Sequence, residues 1–159
     1  MKNFTPSIFL KKNQSGFSLT ELLTVMAILI VIAGIGLMVF QQIKLTMRLS
    51  GTVRQLITDL RYAQQLAITE QVTHGILFST TTPPALDQYQ LIRYGQGSQI
   101  IFTKELSQGI RFQSIGFTDQ KVTFNPYGAA QQSGEIVLVN TENASSTIDV
   151  RPSGFVKKK

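Results

Sequence analysis

The chain contains no cysteine and no tryptophan, and His74 is its only histidine. Without cysteine there can be no disulfide, no thiolate zinc site and no thiol nucleophile. One histidine without a paired carboxylate set gives neither a metal site nor the usual nucleophile and base constellation, so His74 reads as a structural or solvent-facing residue. No phosphate-binding G-x-x-x-x-G-K-S/T stretch or dinucleotide fingerprint occurs, and Asp87, Asp119 and Asp149 lie too far apart for a calcium loop. These absences point away from an enzyme and from any cofactor. Proline is missing between Pro6 and Pro83, and charge is missing between Glu21 and Lys44. A long uninterrupted helix is therefore open to the first half of the chain.

Within that gap, Leu22 to Phe40 is apolar except for Thr24. At 1.5 Å per residue this run would cover roughly 28 Å, about the hydrocarbon thickness of a bilayer. Lys11 and Lys12 precede it, followed by Gly16-Phe17-Ser18-Leu19-Thr20-Glu21. A carboxylate at the threshold of such a run is expensive in lipid and is a functional hypothesis by default. A cleaved secretory signal would have a shorter apolar core with its cut site behind it. A plain signal-anchor, never processed, is the simpler alternative.

The Gly16–Glu21 stretch with its apolar helix resembles the N-terminal signal of type IV pilins and type II secretion pseudopilins. The resemblance implies that a prepilin peptidase cuts between Gly16 and Phe17 on the cytoplasmic side and methylates the new amine of Phe17. It also makes Glu21 the subunit-assembly residue, its carboxylate answering the amine of a neighbour. The physics agrees. Glu21 lies one turn from Phe17 on the same helix face, and a cross-subunit pair would satisfy two poorly solvated charges while fixing register.

The implied organisation is a leader at 1–16, a transmembrane and assembly helix at 17–47, and an exported globular domain at 48–159. Lys11 and Lys12 favour a cytoplasmic N-terminus, whereas Lys44, Arg48, Arg54 and Arg61 pull the other way. The leader's match to a cytoplasmic peptidase site favours a single-pass inner-membrane protein with its C-terminal domain outside. Residues 1–16 carry Lys2, Lys11 and Lys12 and no acid, so the net charge falls from +6 to +3 without them.

Beyond Phe40, Leu49, Val53, Leu56, Leu60, Ala63 and Ala67 recur at gaps of four and three, which predicts an amphipathic continuation of the helix. Arg48, Arg54, Asp59, Arg61, Gln64 and Gln65 are expected on its other face. One helix from about Ser18 to Glu70 results, with Gly34, Gly36 and Gly51 as soft points. After Thr73 the period drops to two. Strands are expected at 76–79, 89–94, 99–103, 110–114, 122–124, 135–139 and 147–151, separated by Gly, Pro and Asn turns. Ser79 to Thr82 before Pro83-Pro84 read as an exposed loop. The fold class is α+β: one long N-terminal helix, membrane-spanning then amphipathic, packed on a C-terminal antiparallel β-domain, pilin-like.

Asp59-Leu60-Arg61-Tyr62-Ala63-Gln64-Gln65-Leu66-Ala67 resembles the helix end of H-class minor pseudopilins (GspH/FimT-like). So do Val122–Gly128, Gly134–Leu138, Ile148–Val150 and Ser153-Gly154-Phe155-Val156. That likeness implies a minor subunit of a type II secretion pseudopilus or type IV pilus, placed near the filament tip. Its partners would be the prepilin peptidase/methyltransferase, other pilin subunits, and the membrane before assembly. Some FimT-like pilins bind DNA through a basic segment after a Ser-Gly pair. Arg151, Lys157, Lys158 and Lys159 are the matching candidate DNA contacts here, pictured as a free tail giving salt-sensitive phosphate contact. Asn143-Ala144-Ser145 fits a glycosylation sequon by pattern alone.

Overall fold

The computed structural model describes residues 16–79 and 87–159, and within these the side chains of residues 35–43 are not described. The chain divides into two compact units, one ending at Val39 and the other running from Phe40 to Lys159. Helix α1, Leu19–Glu70, supplies the helical part of both.

In the first unit, α1 opens behind Ser18, whose carbonyl accepts the N–H of Leu22 at 3.1 Å. Glu21 falls in the first turn. A carboxylate there faces the positive end of the helix dipole. Leu22, Leu23, Val25, Met26, Ile28, Leu29, Ile30, Val31 and Ile32 are all exposed, which places apolar side chains on every side of the helix. Among the described residues no helix is long and apolar enough to cross a membrane. The expected span runs on through residues 35–40, outside the described side chains. Residues 1–15 of the expected 1–16 leader, and residues 80–82 of the expected loop at 79–82, also lie outside the described residues, and Ser79 itself ends a strand.

In the second unit the stripe read from the sequence is buried: Val53, Leu56, Leu60, Ala63 and Ala67 are at 0 % exposure and Leu49 at 4 %. They share one core with residues of two four-stranded antiparallel sheets. The first sheet has the order β3-β2-β1-β5. Its members are β1 (Thr73–Ser79), β2 (Gln88–Gly95), β3 (Gly97–Glu105) and β5 (Lys121–Phe124). The second has the order β4-β6-β7-β8, from β4 (Ile110–Ile115), β6 (Gly134–Asn140), β7 (Ser145–Val150) and β8 (Val156–Lys158). A short 3-10 turn, Thr118–Gln120, precedes β5.

Register puts the apolar positions inward. Ile76 of β1 stands between Leu91 of β2 and Val122 of β5, and all three are buried. Ile136 pairs with Ile148 across β6 and β7, both at 0 % exposure. Each sheet also has a bulge, which adds one residue to a strand and re-aims its neighbours. Ile101 is the extra residue opposite Leu91 and Ile92, and Gln113 the extra residue opposite Leu138 and Val137.

Helix α1 ends where Gln71 turns left-handed at φ 55°. Its side-chain amide donates to the Ile68 carbonyl at 2.6 Å, satisfying one of the last-turn carbonyls that have no helical partner. Seven strands are expected from the sequence and eight are present among the described residues. The additional one is β8, too short and too charged to carry an alternating apolar pattern.

Candidate assembly interface

Phe17 and Leu19 are 79 % and 78 % exposed at the helix start, with Gly16 and Glu21 exposed beside them. The Ser18 and Thr20 hydroxyls lie 2.8 Å apart, and Thr24 donates back to the Thr20 carbonyl at 2.8 Å. The lone polar residue of the apolar run is thereby satisfied within the helix. Glu21 is the one charge described in this unit. Such a surface has two physical uses: solution in lipid, or burial against other helices. It cannot catalyse.

The basic C-terminal segment departs from the free tail of the sequence reading. Residues 156–158 form β8 on β7, with Val156 opposite Val150, Lys157 opposite Asp149 and Lys158 opposite Ile148. Lys159 pairs with Glu135 at 2.9 Å, and Arg151 with Asp149 at 3.2 Å while lying over the Phe155 ring. The hydrogen bond to Glu135 holds the Lys159 ammonium above its usual range. Two of the four candidate DNA contacts are thus engaged within the chain. The hairpin exists because Gly154 takes φ +82° against the Gly128 carbonyl, where a Cβ would collide. Gln64, expected on the solvent face of α1, donates to that carbonyl at 2.7 Å, and Arg61 donates to the Val156 carbonyl at 2.9 Å.

Asp59 is the clearest correction to the expected helix faces. It is buried at 4 % exposure. Its carboxylate accepts from Tyr89 at 2.6 Å and from Lys104 at 2.8 and 2.9 Å. Burial, and then the hydrogen bond to Asp59, push the Tyr89 hydroxyl well above its usual range. A signal was present: Asp59 sits next to Leu60 and three residues after Leu56, at the edge of the apolar stripe. Its partners lie 30 and 45 residues away, beyond the reach of any local pattern. The cluster ties strands β2 and β3 to the helix.

His74 is fully buried at the start of β1. Its Nδ1 is 2.8 Å from the Val72 carbonyl, and Nε2 is 3.4 Å from Glu70, which Arg93 also engages at 2.7 Å. These contacts brace the helix-to-strand corner. Among the described residues no three His, Cys, Asp or Glu side chains gather as metal ligands.

The model of the family described as type II transport protein GspH matches residues 52–154, well over half of the chain. The chain belongs to the GspH family. A prokaryotic N-terminal methylation motif matches residues 11–37. That motif implies a chain handled by prepilin peptidase and assembled with other pilin or pseudopilin subunits. Two solved structures share the fold. The minor pseudopilin EpsH of the Vibrio cholerae type 2 secretion system is 10 % identical, with TM-score 0.58 over 70 % of this chain and 96 % of that one. The type IV minor pilin FimU of Pseudomonas aeruginosa is 11 % identical, with TM-score 0.55 over 70 % of this chain and 87 % of that one. No curated protein matches the chain. The α+β, pilin-like reading of the sequence is thus borne out, and this GspH-family domain occupies the second unit.

Proposed function

We propose that this GspH-family chain is a minor pilin or pseudopilin precursor. It is cut between Gly16 and Phe17, methylated at the Phe17 amine, and drawn from the inner membrane into a filament through its N-terminal helix, near the tip. The observation that carries the reading is the contrast within α1. Among the described residues its first part exposes apolar side chains all round, while the folded domain has a buried core of its own. Residues 1–16 keep the N-terminus cytoplasmic while the domain crosses. After cleavage the helix exchanges lipid for neighbouring helices, and Glu21 meets a neighbour's positive amine. The charge pair costs least when both members are buried together. The chain is a substrate of the peptidase and has no catalytic role of its own.

Glu21→Ala tests the assembly role. The variant is expected to reach the membrane and be processed, yet to fall out of the sheared-filament fraction. Normal incorporation of Glu21→Ala would contradict the role. The DNA-uptake alternative draws on Lys157 and Lys158, which make no ion pair among the described residues. Retention of the full chain on duplex DNA, abolished by salt and by changing Lys157 and Lys158 to Ala, would favour it.

A further inference from the structure

The solvent face of α1 in the second unit is charged with one sign. Lys44, Arg54 and Arg61 are exposed, and Arg48 is half-exposed. By helical spacing the first three lie on the side opposite the buried stripe, with Arg48 at its margin. From Lys44 to Arg61 the face extends about 26 Å. None of the four cations has a carboxylate partner among the described residues, although Arg61 also donates to the Val156 carbonyl at 2.9 Å. The two acids of this stretch are unavailable to it: Asp59 is buried under Lys104, and Glu70 is held by Arg93. In the β-domain Arg93, Lys104, Lys121, Arg151 and Lys159 are paired, and Arg111, Lys157 and Lys158 have no ion pair among the described residues.

The same face is shaped for contact. Met47, Tyr62 and Ile68 are exposed at 69 %, 47 % and 41 %. Gly51 has open space where a Cβ would stand, which allows another helix to approach closely. Thr58 folds its hydroxyl back onto the Arg54 carbonyl at 2.9 Å, leaving its methyl for the surface. Arginines set among exposed apolar and small residues fit the composition of a protein interface, where arginine and aromatic side chains are enriched.

We propose that this face docks an acidic helix of a different pilin-family subunit, and that its uniform charge excludes a second copy of this chain. Helices pack at axial distances of about 8–10 Å, within roughly one Debye length at physiological salt. Two copies face to face would therefore set cation against cation, whereas Asp and Glu on a partner helix would satisfy them. The proposal rests on the filament reading above and supplies the chemistry of the neighbour.

The test places a benzophenone photo-crosslinker at position 58 of the full chain, expressed in its native cell. The expected adduct is with another subunit bearing an N-terminal methylation motif, at a helical peptide with Asp or Glu within one turn. The double variant Lys44→Glu/Arg54→Glu should lower the adduct yield roughly tenfold. Lys44→Arg/Arg54→Lys should keep it. Neither side chain makes an ion pair within the chain, so the melting temperature should hold in both variants. An adduct with a second copy, with phospholipid or with DNA would overturn the proposal, as would a yield indifferent to charge reversal. The intact mass from the same cells separates the two layers. A chain beginning at Phe17 and present in filaments, but with an indifferent adduct, sinks only this inference. A chain beginning at Met1 sinks the filament reading and this inference with it.

Discussion

The two parts of α1 obey different rules although they are one helix. In the second unit the apolar residues form a narrow stripe, and every member of it is buried in the chain's own core. Among the described residues of the first unit they cover the whole circumference and are exposed. A stripe is an instruction to pack on one's own sheet; a full apolar coat is an instruction to find cover elsewhere. The comparison teaches that domain stability and assembly should separate cleanly by position along the helix.

Substitutions can break or sharpen that separation. The largest loss of stability is expected for Leu60→Ala, which removes a side chain at 0 % exposure from the shared core. It should cost about 2–5 kcal/mol, read by urea unfolding of the full chain in detergent. Asp59→Ala comes next. It orphans the Tyr89 hydroxyl and strands Lys104 beside a lost partner. Because Lys104 is 38 % exposed, the cost should fall near the lower end for a broken buried pair, about 3 kcal/mol. Gly154→Ala must fit a Cβ at φ +82° against the Gly128 carbonyl. A loss of about 1–3 kcal/mol is expected, with loosening of β8 visible by hydrogen exchange.

The smallest effect within the domain concerns Asp87, whose carboxylate accepts the Phe112 N–H at 2.9 Å. Desolvation by burial raises its pKa, opposed by that hydrogen bond and by Arg111. A raised folded pKa favours the protonated form. Its stabilising contribution is therefore present below the unfolded pKa and lost as pH rises through the folded one. Asp87→Asn, which mimics the protonated group and keeps an acceptor oxygen, should gain in melting temperature over wild type more at pH 7 than at pH 3.5. Ile30→Ala closes the series. It should leave domain stability within about 0.5 kcal/mol. A melting loss as large as that of Leu60→Ala would break the comparison.

Much of this was legible in the sequence because the informative patterns were local. The stripe from Leu49 to Ala67 declared the buried helix face, and alternation with turn residues declared seven strands near their true positions. What escaped depends on residues far apart in the chain. Asp59 looks like a solvent residue until Tyr89 and Lys104 arrive from two strands. Val156-Lys157-Lys158 looks like a charged tail until Val150 and Asp149 offer it an edge. The sequence pattern places β3 at 99–103, short of its Gly97–Glu105 extent, because it is an exposed edge strand with a bulge at Ile101 and carries little alternation. At the N-terminus, motif and periodicity converge on one reading, and the chemistry at Gly16, Phe17 and Glu21 is the part that experiment must decide.

The most direct measurement is the intact mass and N-terminal sequence of the full chain taken from its native membrane. The account predicts a chain that starts at N-methylated Phe17, lacking residues 1–16. A chain still starting at Met1, in cells whose prepilin peptidase is active, would contradict it and leave a β-rich domain on an unprocessed anchor.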